Sequence, residues 1–201
     1  MTRRIRPLTL SVLASLAMAG IAVDGTAVAQ TTLPASAPKP AIMASGVAGN
    51  SGKLSAFDGA FLEQVAQNGH AEIDGAKAAL EKGTDARVKS FAQKLIDDHT
   101  KANTELTALA SSKGVELPKA PSIGQKAKAK ILSLRDGEGY DKHFVESIGI
   151  KAHESSIKLF KRAVAEATDA DVKAFATKTL PTLEAHLKQA HDLHASLDKK
   201  K

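Results

Sequence analysis

Residues Thr84-Asp85-Ala86-Arg87-Val88-Lys89-Ser90-Phe91-Ala92-Gln93-Lys94 return, with three changes in eleven, as Thr168-Asp169-Ala170-Asp171-Val172-Lys173-Ala174-Phe175-Ala176-Thr177-Lys178. The same offset of 84 residues carries Ile73 onto Ile157 and Leu80 onto Val164. A repeat on this scale reads as duplication of one supersecondary unit, and it restricts the fold to two similar halves.

The repeated unit is helical. Apolar or small residues recur at steps of three and four in four stripes: Phe61 to Leu80, Val88 to Leu109, Ile150 to Val164, and Val172 to Leu197. That spacing places each set on one helix face. Between stripes, Gly83 and Ala167 mark bends, and the Thr-Asp pairs after them supply helix caps, Thr84 or Asp85 and Thr168 or Asp169. Only 3% of residues are aromatic, with no Trp and one Tyr, so the core rests mainly on aliphatic residues that suit close-packed helices.

Between the hairpins, the segment 111–138 holds Gly114, Pro118, Pro121 and Gly137, with a short extra helix expected over Ile123 to Leu134 and a turn at Gly137-Glu138-Gly139. A link of that length can run the whole height of a bundle, as in ferritin-like folds. The expected architecture is therefore an all-α, ferritin-like four-helix bundle of two duplicated hairpins, residues 55–198. Pro181 falls inside the fourth helix and is expected to kink it near Thr177, where a backbone hydrogen bond is lost.

The N-terminal 29 residues read as a cleavable export signal. Arg3, Arg4 and Arg6 precede a mostly apolar run from Leu8 to Val23, and Ala27-Val28-Ala29 is a small-x-small cleavage motif. The run is broken by Ser11, Ser15 and Gly20 and is short for a membrane span. Residues 30–54 follow as an arm rich in Ala, Pro, Ser and Gly, expected to be disordered. No later stretch is apolar for long enough to span a membrane, and the mature chain is expected in the periplasm.

The formal net charge is +6, with Lys199, Lys200 and Lys201 at one end and three arginines in the export segment at the other. The body between is close to balanced and offers no basic face interleaved with aromatics, so nucleic-acid binding is not expected. The absence of cysteine excludes disulfides, thiolate metal sites, cysteine nucleophiles and a lipoprotein anchor.

Glu72-Ile73, the run Val88-Lys89-Ser90-Phe91-Ala92 with Asp98-His99, then His153, and Leu180-Pro181 with His186-Leu187 together resemble a family of exported bacterial proteins. That family is classed as a domain of unknown function in the ferritin-like superfamily and often labelled as outer-membrane proteins. The resemblance spans residues 55–197. It implies a four-helix bundle in the cell envelope and no settled activity.

Ferritin-like carboxylate proteins bind two metals with Glu-x-x-His pairs, because the i, i+3 spacing aims both side chains at one ion. None of the seven histidines has Glu or Asp three residues before it, so that di-iron centre is not expected. What remains is Glu72, His99, His153 and His186, one from each helix and each on or beside its apolar stripe. Three imidazoles and a carboxylate suit Zn²⁺ or Fe²⁺. Counted from the bends, with the hairpins inverted by a crossover, all four fall around mid-bundle, though their heights spread over about 12 Å at 1.5 Å per residue. The simpler reading is that hydrogen bonds satisfy them, His99 with Glu72 and His186 with a neighbour across the bundle, pinning the helices in register. His70, His143, His191 and His194 read as surface residues.

The sequence thus points first to an exported, non-catalytic bundle with a structural, binding or stress-protective role and no cofactor. The alternative is a metal-binding or redox bundle using those four residues. A partner-binding module is a third class, but no exposed apolar stripe is expected.

Overall fold

A computed structural model describes residues 53–199; the export segment 1–29 and nearly all of the arm at 30–54 lie outside the described residues. The described residues are helical with no strand. In chain order they form α1 (Ala56–Lys82), α2 (Ala86–Ser112), α3 (Ile123–Leu132), α4 (Gly137–Phe144), a π-helical segment (Val145–Ala152), α5 (His153–Glu166) and α6 (Ala170–Asp198). Helical dihedrals persist through Phe144, Val145, Ala152 and His153, so α4, the π segment and α5 form one continuous rod.

Each bend between antiparallel helices is held from the opposite half of the molecule. Asp85 and Asp169 cap α2 and α6, accepting from Arg87 N at 2.8 Å and from Asp171 N at 3.0 Å. Thr84 and Thr168 do not cap; they turn to distant aspartates. The Asp141 carboxylate accepts from the Thr84 amide and hydroxyl, both at 3.0 Å, and from the Asp85 amide at 2.9 Å. Asp58 receives the Thr168 hydroxyl at 2.7 Å and the Asp169 amide at 3.1 Å. Gly83 permits the first of these contacts: a Cβ there would stand 2.4 Å from Asp141 Oδ1 and 2.7 Å from the Ala79 carbonyl oxygen.

These contacts set the hairpins antiparallel to one another, because the start of each lies at the bend of the other. The C-terminal end of α2 sits beside the second bend, where Lys113 Nζ pairs with Asp169 at 2.8 Å. The start of α4 sits at the first bend. Residues 113–136 therefore travel the length of the molecule, with α3 partway along, opened by a capping box between Ser122 and Gln125. The expected turn at Gly137-Glu138-Gly139 is instead the first turn of α4, and Gly137 carries the reversal into it with φ +59°. Pro181 lies within an unbroken α6.

Two apolar cores form, one towards each bend. Phe61, Phe160 and Phe175 centre the first, with Phe61 edge-on to Phe160 at 5.1 Å. Phe91, Phe144 and Tyr140 centre the second, with Phe91 edge-on to Phe144 at 6.3 Å. α3 contributes only Leu132 to a core and leaves Ile123, Ile131 and Leu134 in its neighbourhood exposed, contrary to the expectation of no exposed apolar stripe. No helix among the described residues is long and apolar enough to cross a membrane.

A candidate metal centre between the two cores

The layer between the cores is polar. Glu72 of α1, His99 of α2, His153 at the start of α5 and His186 of α6 are all buried there. The three imidazole rings form a nearly equilateral triangle, with centroids 5.5 Å apart for His99 and His153, 5.4 Å for His99 and His186, and 5.3 Å for His153 and His186. One nitrogen from each ring lies within 4.8 Å of the others. The mid-bundle placement counted from the bends holds, while the counted spread of heights closes up in three dimensions: all four side chains meet in one layer. His191 is exposed, and His70, His143 and His194 are half-buried outside the cluster.

Hydrogen bonds orient the rings from outside. His153 Nδ1 stands 2.8 Å from the Ile148 carbonyl oxygen, so it carries the proton and donates. His186 Nε2 stands 2.8 Å from Asp98 Oδ2 and donates to that carboxylate. In the neutral rings the remaining nitrogens, His153 Nε2 and His186 Nδ1, are then both bare lone pairs. They face each other at 3.3 Å. Two acceptors at that distance repel unless a cation stands between or beside them. Two nitrogens bound to one tetrahedral ion at 2.0–2.1 Å are themselves about 3.3 Å apart.

The other half of the cluster carries charge. His99 Nε2 is 2.9 Å from Glu72 Oε2, but its N–H direction misses that oxygen and the nitrogen has no aligned hydrogen-bond partner. Burial alone would raise the Glu72 carboxyl, yet His99, His153 and His186 together outweigh it and bring its pKa down to about 2. Burial opposes a charge on His99, but the Glu72 carboxylate overcomes it and raises the ring above the usual histidine value. Burial, joined by the charge on His99, lowers His153 despite Glu72. Burial also carries His186 down to about 4 against the pull of Asp98. These shifts favour the charged forms of Glu72 and His99 and the neutral forms of His153 and His186.

A chain of polar contacts links Glu72 to the surface. Ser156 Oγ donates to Glu72 Oε1 at 3.4 Å, Asn68 Nδ2 to Ser156 Oγ at 3.2 Å, and Gln125 Nε2 to Asn68 Oδ1 at 2.8 Å. Alongside it, a groove of about 510 Å³ between α1, α3 and the π segment reaches Glu72. Sequence reasoning named the four central residues but missed Asp98, the Ile148 carbonyl and Ser156. Asp98 entered only within the Asp98-His99 motif that carries the family resemblance, with no role of its own; a backbone carbonyl leaves no sequence signal.

No curated protein matches this chain. Solved structures share its fold, two DUF305 proteins among them. A DUF305 fragment from Deinococcus radiodurans superposes with a TM-score of 0.64 at 15% identity, covering 72% of this chain and 99% of that one. A DUF305 protein from Streptomyces coelicolor, described as secreted, gives 0.61 at 14% identity over 71% and 92%. At such identities the likeness concerns the fold alone. In sequence, a model for a domain of unknown function, DUF4142, matches residues 44–193, and the chain belongs to that family.

Proposed function

We propose that this protein is an exported, ferritin-like four-helix bundle that holds one first-row transition-metal ion through Glu72, His99, His153 and His186. The reading rests on one observation above the rest: outer hydrogen bonds from the Ile148 carbonyl and Asp98 aim two bare ring nitrogens at each other, 3.3 Å apart. Carbonyls and carboxylates that fix the far nitrogen of a histidine are the common outer support of metal-bound imidazoles. Burial supplies the dry surroundings, and His99 supplies a third donor once an incoming ion displaces the proton it shares with Glu72.

Three imidazoles and a carboxylate suit Zn²⁺ or Fe²⁺. The three imidazoles form the ligand-spaced group and Glu72 stands beside it, paired with His99; Glu72 as the fourth donor would fill a tetrahedral ion and leave no open position, which favours holding the metal over catalysis. The role is therefore binding or protective, in the cell envelope. The groove beside Glu72 offers the ion an approach.

Thermal melting of the mature protein tests this. Zn²⁺ or Fe²⁺ at about a hundred times its dissociation constant stabilises a one-site protein by about 2.7 kcal/mol. Wild type should show that rise and Glu72→Gln with His99→Gln should not. Equal melting with and without metal in the wild type overturns the proposal.

A further inference from the structure

The two aspartates that hold the opposite bends, Asp58 and Asp141, occupy matching places in the two hairpins, yet they are 83 residues apart rather than 84. The offset of 83 extends along the first helix of each hairpin. Phe57 matches Tyr140, and the buried Phe61, Leu62 and Ala66 match the buried Phe144, Val145 and Gly149. From there the offset becomes 84: buried Gly69 matches His153, Glu72 matches Ser156, Ala79 matches Ala163, and the bends follow. The second hairpin therefore carries one extra residue, between Gly149 and His153. That interval falls inside the π segment, Val145–Ala152. One extra residue is what a change from i→i+4 to i→i+5 winding absorbs.

We propose that this single-residue insertion is the positioning element of the metal centre, turning His153 into the polar layer and giving it its partner carbonyl. Each residue advances a helix by about 100°. Both ends of the α4–α5 rod are fixed, by Asp141 at one bend and Phe160 in the far core, so the extra residue is taken up locally. The wider winding brings the Ile148 carbonyl, five residues back, to His153 Nδ1, while the His153 backbone N–H goes to Ile150. Glu146 and Lys151, also five apart, pair across the same turn at 2.6 Å. The first hairpin has regular helix at this level and no ring: the matching Gly69 faces Asn103, whose Oδ1 would lie 2.2 Å from a Cβ there. The π segment also lies close against α6, since a Cβ on Gly149 would meet Ala190 Cβ at 2.9 Å and Phe91 at 3.2 Å. That approach sets His153 against His186.

The inference rests on the metal reading, and its test separates the two. Deleting exposed Lys151 restores equal hairpin lengths, and Gly149→Ala pushes the segment off α6 without changing length. Co²⁺ is titrated into wild type and both variants, with visible absorption reporting coordination and circular dichroism reporting helix content. Nitrogen NMR of the His153 ring reports its tautomer without metal. Wild type should bind Co²⁺ and show His153 protonated at Nδ1. The folded variants should bind at least about tenfold more weakly and lose that tautomer. If the deletion does not fold, Gly149→Ala decides. A folded variant with wild-type affinity and tautomer overturns the inference. A wild type that ignores Co²⁺ but shows the tautomer change overturns only the metal reading.

Discussion

Asp58 accepts the Thr168 hydroxyl at 2.7 Å, across 110 residues of sequence, and so ties the first turn of α1 to the bend before α6. Asp141 performs the same task at the other end. Each carboxylate is buried and takes backbone amides that no helix satisfies. Asp58→Ala and Asp141→Ala should each cost about 1–3 kcal/mol. The double variant should show nearly the sum, because the sites are at opposite ends. Urea denaturation checks this; costs below 0.5 kcal/mol would show the contacts to be incidental.

Phe91 and Phe175, the matched aromatics of the repeat, sit in separate cores, 0% and 7% exposed. Replacement by Ala should cost about 3–5 kcal/mol at Phe91 and somewhat less at Phe175, whose site is nearer solvent. The Phe91 variant should also disturb His186, because the two rings meet edge to face at 6.5 Å. Chemical-shift changes at His186 in that variant alone are the expected signature.

Much of this was legible beforehand for physical reasons. Helical periodicity and the recurrence around Phe91 and Phe175 announced helical hairpins, and the length of the link allowed a crossover. Glu72 and the three histidines stood out because polar residues on apolar stripes need partners. Counting from the bends put all four near mid-bundle but overstated the spread of their heights, since straight counting knows nothing of where helices cross or of a π turn. The turn expected at Gly137 failed because a glycine with positive φ opens a helix as readily as it ends one. Pairing at distance, Asp58 with Thr168 above all, leaves no local pattern to read.

The metal-free protein should lose stability as the pH falls from 6.5 towards 4. His186 and His153 have lowered pKa values, His186 from 6.5 to about 4, so the unfolded chain takes up protons in this window before the folded one. Their contribution is full above 6.5. Glu72, at about 2 rather than 4.5, adds a second loss below 4.5. His99 runs the other way: its raised pKa gives stability below 6.5 that fades as the pH climbs through the raised value. Denaturation across pH 4–7 should show a shallower slope for His186→Gln than for wild type. Coincident slopes would mean that His186 titrates normally.

Asp98→Asn keeps the size of the side chain but removes the charge that receives the His186 proton at 2.8 Å. Metal affinity should drop by about 10–100-fold with the fold intact, as for other outer supports of a metal-bound imidazole. Calorimetric titration with Zn²⁺ measures it, and an unchanged affinity would remove Asp98 from the site.

The most direct measurement is elemental analysis of the mature protein after loading with Zn²⁺ or Fe²⁺ and exhaustive dialysis, with X-ray absorption on the bound ion. One ion per chain should remain, with nitrogen and oxygen donors at 2.0–2.2 Å, and His99→Gln should lose it. A dialysed wild type without metal, or a retained ion indifferent to His99, would contradict the account and leave the four residues as a hydrogen-bonded layer that pins the helices.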